Sequence, residues 1–487
     1  MTRAYVKPSL TDALIPVIVL ITLLAGTVHV FGLDSSGPNQ VALLLSAALA
    51  AVIGIKNGLS WKEVEQGMID TITVSLPAIL ILMMVGALIG SWILSGTVPS
   101  MIYYGVELMS PNYFYLTSCL VCALVGFSIG SSWTVAGTLG IGFMVIAEAL
   151  DLSRPISAGA IISGAYFGDK LSPLSDTTNL AAAVTNSDLF DHIQHMLWTT
   201  IPAFIVALTL FFVLGMGSDI HIKVTDIELL QAAMKDTFLV SPLMLVPLAL
   251  LLVMAVKKQP ALSTLVCGAL AGCVFALIFQ WPAVVGLAAD SSLNGVAAAF
   301  KGLLSAMFLG YSSSSGNEAL DTLLSKGGMS SMLMTIGLII NAMAFGGAMA
   351  RTGLLERLVE AALSRVKSAG GLVMTTVGTC IGTNILAADQ YLSIVIPGQM
   401  FAESYEKRNL KPINLSRTLE DSGTLTSVLV PWNTCGAYMS ATLGVSTFYY
   451  APYAFFNLCC PILAIIYGYY QIKLPRTDPA QEQVAAD

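Results

Sequence analysis

Between Ile72 and Leu94 the chain carries no charged side chain, and apolar runs of this kind recur from Ala13 almost to the C-terminus. About 20 such residues in a helix cross the hydrocarbon core of a bilayer. Inside that core no water satisfies the backbone, so the spanning segments must be helices with their hydrogen bonds closed internally, or a sealed barrel. The runs are far longer than barrel strands. The clearest are Ala13–Phe31, Val41–Ile55, Ile72–Leu94, Tyr113–Ile129, Thr134–Leu150, His195–Met216, Phe238–Val256, Ala261–Phe279, Met329–Met349, Leu372–Ile385, Tyr391–Ala402 and Tyr449–Tyr469. Two polar-interrupted stretches, Ile156–Val184 and Leu415–Leu443, read as broken helices, and Gly295–Leu309 as a further segment. The expectation is an all-α polytopic membrane protein with about 11 to 13 transmembrane or re-entrant segments. Only 10% of the residues are charged and 56% are hydrophobic, whereas soluble domains carry about 25% charge. A soluble globular fold is excluded. The run after the short polar stretch Met1–Thr11 lacks a convincing cleavage site, and reads as a retained first helix.

Against this background one stretch stands out: Gly164-Ala-Tyr-Phe-Gly-Asp-Lys-Leu-Ser-Pro-Leu-Ser-Asp-Thr-Thr-Asn179. Ionisable groups at membrane depth are costly and mark ion or substrate pathways. Pro173 removes a backbone donor and breaks the helix, and Pro431 does the same in the second half. Asp169 and Asp176 are the leading candidates to bind a hard cation, with oxygen from Ser172, Ser175, Thr177, Thr178 and Asn179 around them. A carboxylate that holds either Na+ or a proton exchanges them by competition alone. Lys170 reads equally as an ion-pair partner and as a charge that replaces the departing cation.

Three pairs of segments recur about 250 residues apart in the same order. Val85–Thr97 resembles Ala342–Leu354, Ser128–Ser132 resembles Cys380–Asn384, and the break ending at Asn179 resembles Thr424–Thr434. Gly96–Asn112 carries no Lys or Arg, whereas Arg351–Gly370 carries Arg351, Arg357, Arg365 and Lys367. Asp151–Pro155 has only Arg154, against Lys407, Arg408, Lys411 and Arg417 in Glu403–Arg417. Basic residues mark cytoplasmic loops, so equivalent segments are expected on opposite faces. That is the pattern of two inverted-topology repeats, about 67–190 and 325–445, with broken helices meeting at the midplane. Lys56, Lys62, Lys257, Lys258, Lys473 and Arg476 fit cytoplasmic termini. The expected division is an N-terminal half 1–217, a connection 218–260, a C-terminal half 261–472 and a polar tail 473–487.

In the second half Asn384 and Asp389 are further candidate ligands, and Asn433 with Thr434 would mirror Asn179. Glu420 and Asp421 read equally as cavity-lining or interfacial. Tyr311–Glu318 reads as a loop or a gate. Asp188 and Asp191 read as helix-capping acids beside His192 and His195, in preference to a metal site. Glu148 and Asp151 read as interfacial. Cys119-x-x-Cys122 lies in an apolar run without a nearby histidine, which favours packing. There is no phosphate-binding loop, metalloprotease motif or dinucleotide fingerprint, so neither ATP-driven transport nor an enzyme is expected. Gly168-Asp169 lacks the Gly-x-Gly-Asp and Tyr-Asp sequences of an intramembrane aspartyl protease.

The stretch Gly164–Asn179 closely resembles the signature of the NhaC family of Na+/H+ antiporters. The likeness extends to Ser35-Ser-Gly-Pro-Asn-Gln40 and Gly126-Phe-Ser-Ile-Gly-Ser-Ser-Trp-Thr134. It implies a bacterial inner-membrane secondary antiporter that exports Na+, with Li+ as a surrogate, against H+ entry. Relatives with this signature include malate/lactate exchangers and amino-acid transporters, so an organic solute is the alternative. The implied partners are Na+, H+, Li+ and membrane lipid, with no nucleic acid and no cofactor. A homodimer is left open.

Overall fold

The computed structural model describes residues 5–31, 36–217, 224–257, 259–288, 292–364 and 366–477. Ser35, Lys258, Arg365 and the tail from 478 onward lie outside the described residues. The described chain is helical throughout, apart from one isolated bridge between Leu410 and Arg476. Nine of its helices are long and apolar enough to cross a membrane, or eleven when each of two sharply bent pairs counts as one span. Their outward faces carry exposed Leu44, Val52, Leu80, Leu124, Ile205 and Val213, which suits lipid as the surrounding solvent.

The N-terminal part runs through α1 (Leu10–Phe31), α2 (Ser36–Lys56), α3 (Trp61–Leu94), α4 (Thr97–Leu108), α5 (Phe114–Ile129), α6 (Ser132–Ala149), α7 (Arg154–Leu171), α8 (Asp176–Val184) and α9 (Leu189–Met216). The C-terminal part has α10 (Ala261–Phe279), α11 (Leu333–Arg351), α12 (Leu354–Leu363), α13 (Ala369–Leu386), α14 (Leu392–Glu406), α15 (Pro412–Leu419), α16 (Thr434–Leu443) and α17 (Phe455–Tyr469). The expected helix Ala261–Phe279 is matched residue for residue. Ile72–Leu94 is extended back to Trp61, where Ser60 and Glu63 form a reciprocal cap. The expected span Phe238–Val256 is helical from Pro242, and a preceding helix that ends at Thr237 meets it at 86°. Thr134–Leu150 contains a wide turn at Ala136–Gly140 with π-type hydrogen bonds. The Tyr311–Glu318 stretch is a loop whose Ser313 and Ser315 hydroxyls both bond the Asp321 carboxylate at 2.7 Å.

Both polar-interrupted stretches are broken helices. α7 ends at Leu171 and α8 starts at Asp176, with Pro173 in the gap. In the second stretch, α15 passes into a π-type turn, Glu420–Thr424, and a short helical piece ends at Ser427. Pro431 then sits in the gap before α16. Two further breaks lie at Gly130–Ser131 and at Ala387–Tyr391. The helix expected over Leu372–Ile385 runs to Leu386, past Gly382, the sequence counterpart of Gly130, before Ala388 turns at φ 56°. The structural counterpart of Asn433 is likewise shifted: it caps α16 as Ser175, not Asn179, caps α8.

The breaks pack on each other in pairs. Gly130 has φ 73°, and a Cβ there would stand 2.8 Å from the Leu174 carbonyl carbon and 2.9 Å from the Ser175 nitrogen. In the second pair the Thr434 N–H donates to the Ala388 carbonyl at 2.9 Å. α7 is held against α5 by glycine, because a Cβ on Gly168 would lie 2.2 Å from the Ala123 carbonyl oxygen. No rigid backbone accommodates that, and Gly168 directly precedes Asp169. Replacing Gly168 with Ala should therefore force α5 and α7 apart. A loss of about 1–3 kcal/mol is expected for overpacking, read as a lower unfolding temperature of the purified protein in detergent. An unchanged temperature would contradict the close crossing.

Candidate functional site

The four breaks converge on a cavity of about 310 Å3. Its wall includes Val74 to Ile81 of α3, Ser131 to Trp133, Asp169, Asp176, Thr177, Asp389 to Tyr391, Thr434 and Cys435. Three carboxylates from three separate segments thus face one space. No Lys, Arg or His is among the lining residues.

Each carboxylate is held differently. Asp169, on the last turn of α7, accepts the Ser132 N–H at 2.9 Å through Oδ2, while Oδ1 is buried without a partner. Asp176 opens α8, accepts the Thr177 N–H at 2.9 Å, and receives a short hydrogen bond from the Tyr391 hydroxyl. It is the water-exposed member of the set. Asp389 caps the start of α14 by accepting the Leu392 N–H at 3.0 Å. Three carboxylates in so small a space repel one another, and unaccompanied charge in a low-dielectric interior is untenable. The cavity chemistry therefore calls for cations or protons.

Other sequence candidates are turned elsewhere. Ser175 caps α8, Ser172 Oγ accepts the Leu174 N–H at 3.3 Å, and the Thr178 hydroxyl donates to the Lys170 carbonyl at 3.0 Å. Asn179 Nδ2 donates to the carbonyls of Pro173 and Ser175. These groups satisfy the backbone that Pro173 frees. Asn384 and Asn433 are bonded to each other at 3.0 Å, and Asn384 also donates to the Gly423 carbonyl at 2.8 Å. They clamp the second pair of breaks and are absent from the cavity wall.

Lys170 points away from the cavity. Its ammonium is fully buried in a close ion pair with Asp421, whose Oδ1 also accepts the Thr199 hydroxyl at 2.9 Å. Glu420, Asp421 and Arg417 are fully buried as well, so the interfacial reading of the two acids is excluded and Arg417 is no loop charge. The second broken stretch thus supplies the partner of Lys170. Tyr391, Gln390 and Cys435 were not anticipated. Tyr391 and Gln390 directly follow Asp389 in sequence, which was the available signal. Trp133 stacks on Tyr438 with ring centroids 4.1 Å apart, forming an aromatic wall.

The sequence profile of the Na+/H+ antiporter family matches residues 164–472, beginning at the polar stretch itself. A Na+/H+ antiporter NhaC of Alkalihalophilus pseudofirmus is 38% identical over 88% of this chain and 90% of its own length. The chain belongs to the Na+/H+ antiporter family. Two further relatives with other printed activities align as extensively. The malate-2H+/Na+-lactate antiporter of Bacillus subtilis is 37% identical over 89% of each chain. The arginine/ornithine antiporter ArcD of Halobacterium salinarum is 35% identical over 98% of this chain and 95% of its own. In this antiporter family member, then, the matched region contains Asp169, Asp176, Asp389 and the Lys170–Asp421 pair.

Two substitutions separate framework from cavity. Asn384→Ala leaves the Gly423 carbonyl without its donor and removes the side-chain bond from Asn433, which keeps only the backbone carbonyl of residue 384, at a cost of about 1–3 kcal/mol; the drop in detergent unfolding temperature should be clear. Lys170→Met leaves Asp421 as an uncompensated buried charge, worth about 3–5 kcal/mol, and Lys170→Met with Asp421→Asn should recover most of that stability. Thermal unfolding of the single and double variants measures the coupling.

Proposed function

We propose that this chain is an NhaC-type secondary antiporter of the bacterial inner membrane, exchanging Na+, and Li+ in its place, for H+ by alternating access. The observation that carries the reading is the convergence of Asp169, Asp176 and Asp389 on a cavity whose wall holds no basic side chain. An anionic solute wants a cation or free helix N-termini. Lys170 is committed to Asp421, and the N-terminal turns beside the cavity already carry Asp176 and Asp389.

In this reading Asp176 and Asp169 hold the Na+, with Thr177, Thr434 and backbone carbonyls of the breaks completing an oxygen shell. Asp389 is the third carboxylate of the same site. Proton arrival on one side displaces the cation, and proton loss on the other restores the site. The Tyr391 hydroxyl steadies Asp176 when the cation is absent. The repeats would be the moving bodies. α3 and α4, joined at Gly96 with φ 78°, are followed in order by α5, a break, α6, α7, a break and α8. α11 and α12, joined at Gly353 with φ 72°, are followed by α13, a break, α14, α15 and its π-type turn, a break and α16. This recurrence, with the opposite basic-residue bias of the two sets, supports inverted repeats around a midplane site.

Exchange of a small organic solute is the second reading, favoured by the cavity volume, which far exceeds one dehydrated cation. Proteoliposomes containing a pH-sensitive dye distinguish the two when Na+, Li+, K+, malate, lactate, arginine or ornithine is added outside. Na+ and Li+ alone should move internal pH, and Asp176→Asn should abolish the response while the protein still inserts and folds. A response that requires an organic solute, or wild-type rates in Asp176→Asn, would overturn the exchange reading.

A further inference from the structure

Where helices restart around the cavity, two aromatic residues hold equivalent places. Trp133 lies three residues past Gly130, whose φ is 73°, and Tyr391 three residues past Ala388, whose φ is 56°. Each reaches across to the opposite broken stretch. The Trp133 ring is stacked on Tyr438 of α16, with centroids 4.1 Å apart and planes 7° from parallel, and the Tyr438 hydroxyl donates to the Trp133 carbonyl at 2.8 Å. The Tyr391 hydroxyl donates to Asp176 of α8. Seven residues further on, both arms close on the same partner helices through glycine: a Cβ on Gly140 would stand 3.0 Å from Leu443 Cδ2, and one on Gly398 2.4 Å from Val184 Cγ1. Two crossed joints therefore flank the cavity, α6 with α16 and α14 with α8. They are alike in plan and unequal in tightness. Tyr438 is fully buried, and its hydroxyl lies 2.7 Å from where a Gly137 Cβ would be, which leaves no room for a methyl group between α6 and α16. At the other joint Tyr391 is 40% exposed, and Asp176 is exposed as well.

We infer that Trp133–Tyr438 and Tyr391–Asp176 are the two gates of the cavity, the first closed and the second ajar, and that they exchange these roles during transport. The inference rests on the alternating-access reading above and names the side chains that alternate, whichever solute is carried. Both rings belong to the cavity wall, so each gate is in reach of whatever occupies it. Opening the first gate means separating a stacked ring pair and one hydrogen bond, which together bias a two-state equilibrium by roughly tenfold or more. The second gate is tied to the load itself, because a cation or proton arriving on Asp176 competes with the Tyr391 hydroxyl for that carboxylate.

Ala78 of α3 lines the cavity, and α3 contains no native cysteine. In Ala78→Cys, labelling of the introduced thiol by a membrane-impermeant maleimide is followed by mass spectrometry of the α3 peptide, in right-side-out and inside-out vesicles. The two initial rates should differ by roughly tenfold or more. Adding Trp133→Ala should raise the slower rate and bring the ratio towards one. Tyr438→Ala, which breaks the same contact from α16, should do likewise, whereas Trp133→Phe keeps a stacking ring and should preserve most of the ratio. Tyr391→Ala weakens the opposite gate and should widen it. General loosening of the fold would move all these variants in one direction. Equal rates in Ala78→Cys alone, a ratio that neither Trp133→Ala nor Tyr438→Ala reduces, or one that Tyr391→Ala reduces, would overturn the gates. The labelling needs neither Na+ nor proton flux, so a dye response that required an organic solute would remove the exchange reading and leave this result standing.

Discussion

In hydrocarbon a helix cannot be interrupted without a protein partner for every backbone group that the interruption frees. This chain interrupts its helices four times near one place, and the buried polar residues around the breaks answer that demand. Ser131, Ser175 and Asn433 cap the helices that restart. Asn179, Thr178 and Asn384 take up carbonyls left by the helices that stop. The Trp432 indole donates to the Ile385 carbonyl at 2.8 Å, and the Ala388 carbonyl receives Thr434. Once these obligations are met, the polar atoms left over are the ones that can serve a ligand. In the cavity wall the acidic groups that can do so are Asp169, Asp176 and Asp389.

This division explains what could be read from the sequence. Spans such as Ala261–Phe279 were legible because length and apolarity alone decide them. Asp169 and Asp176 were legible because charge in an apolar segment is conspicuous whatever its exact surroundings. The division of labour among the hydroxyls and amides was not legible. Ser175 and Thr177 are alike in type and only two positions apart, yet one caps a helix while the other lines the cavity. That difference depends on where the helix restarts. The five-residue shift from Gly382 to Ala387 has the same origin: Ala388 carries the left-handed turn without glycine, so its sequence gives no sign of the break.

The pairing of Lys170 with Asp421 was hidden for another reason. The two residues are 251 positions apart, and nothing local distinguishes a lysine that faces a cavity from one that faces a partner. Arg417 counted as a loop charge, and Glu420 and Asp421 read equally as cavity-lining or interfacial, because a run such as Arg417-Thr-Leu-Glu-Asp421 is ordinary at a membrane surface. In the fold they sit on a helix that has widened into a π-type turn, a distortion often found at functional sites. The turn belongs to the second broken stretch and holds the lysine of the first.

This ion pair bears on the alternating access proposed above. Breaking it without compensation would leave two buried charges, at a cost large on the scale of a transport cycle. The end of α7 and the π-type turn should therefore move together, although they are far apart in the sequence. Asp169 and Lys170 are neighbours on α7, and they face opposite ways: one into the cavity, one into the pair. A motion that reorients Asp169 must then occur at the break between α7 and α8, or carry α7 and α15 as one body. The first alternative keeps the pair intact and changes only the gap at Ser172–Ser175. That gap is closed by one side-chain hydrogen bond from Thr178 and two from Asn179, each worth about 1 kcal/mol net, against several for the ion pair. The weaker joint is the one that should yield, and it lies directly beside Asp176.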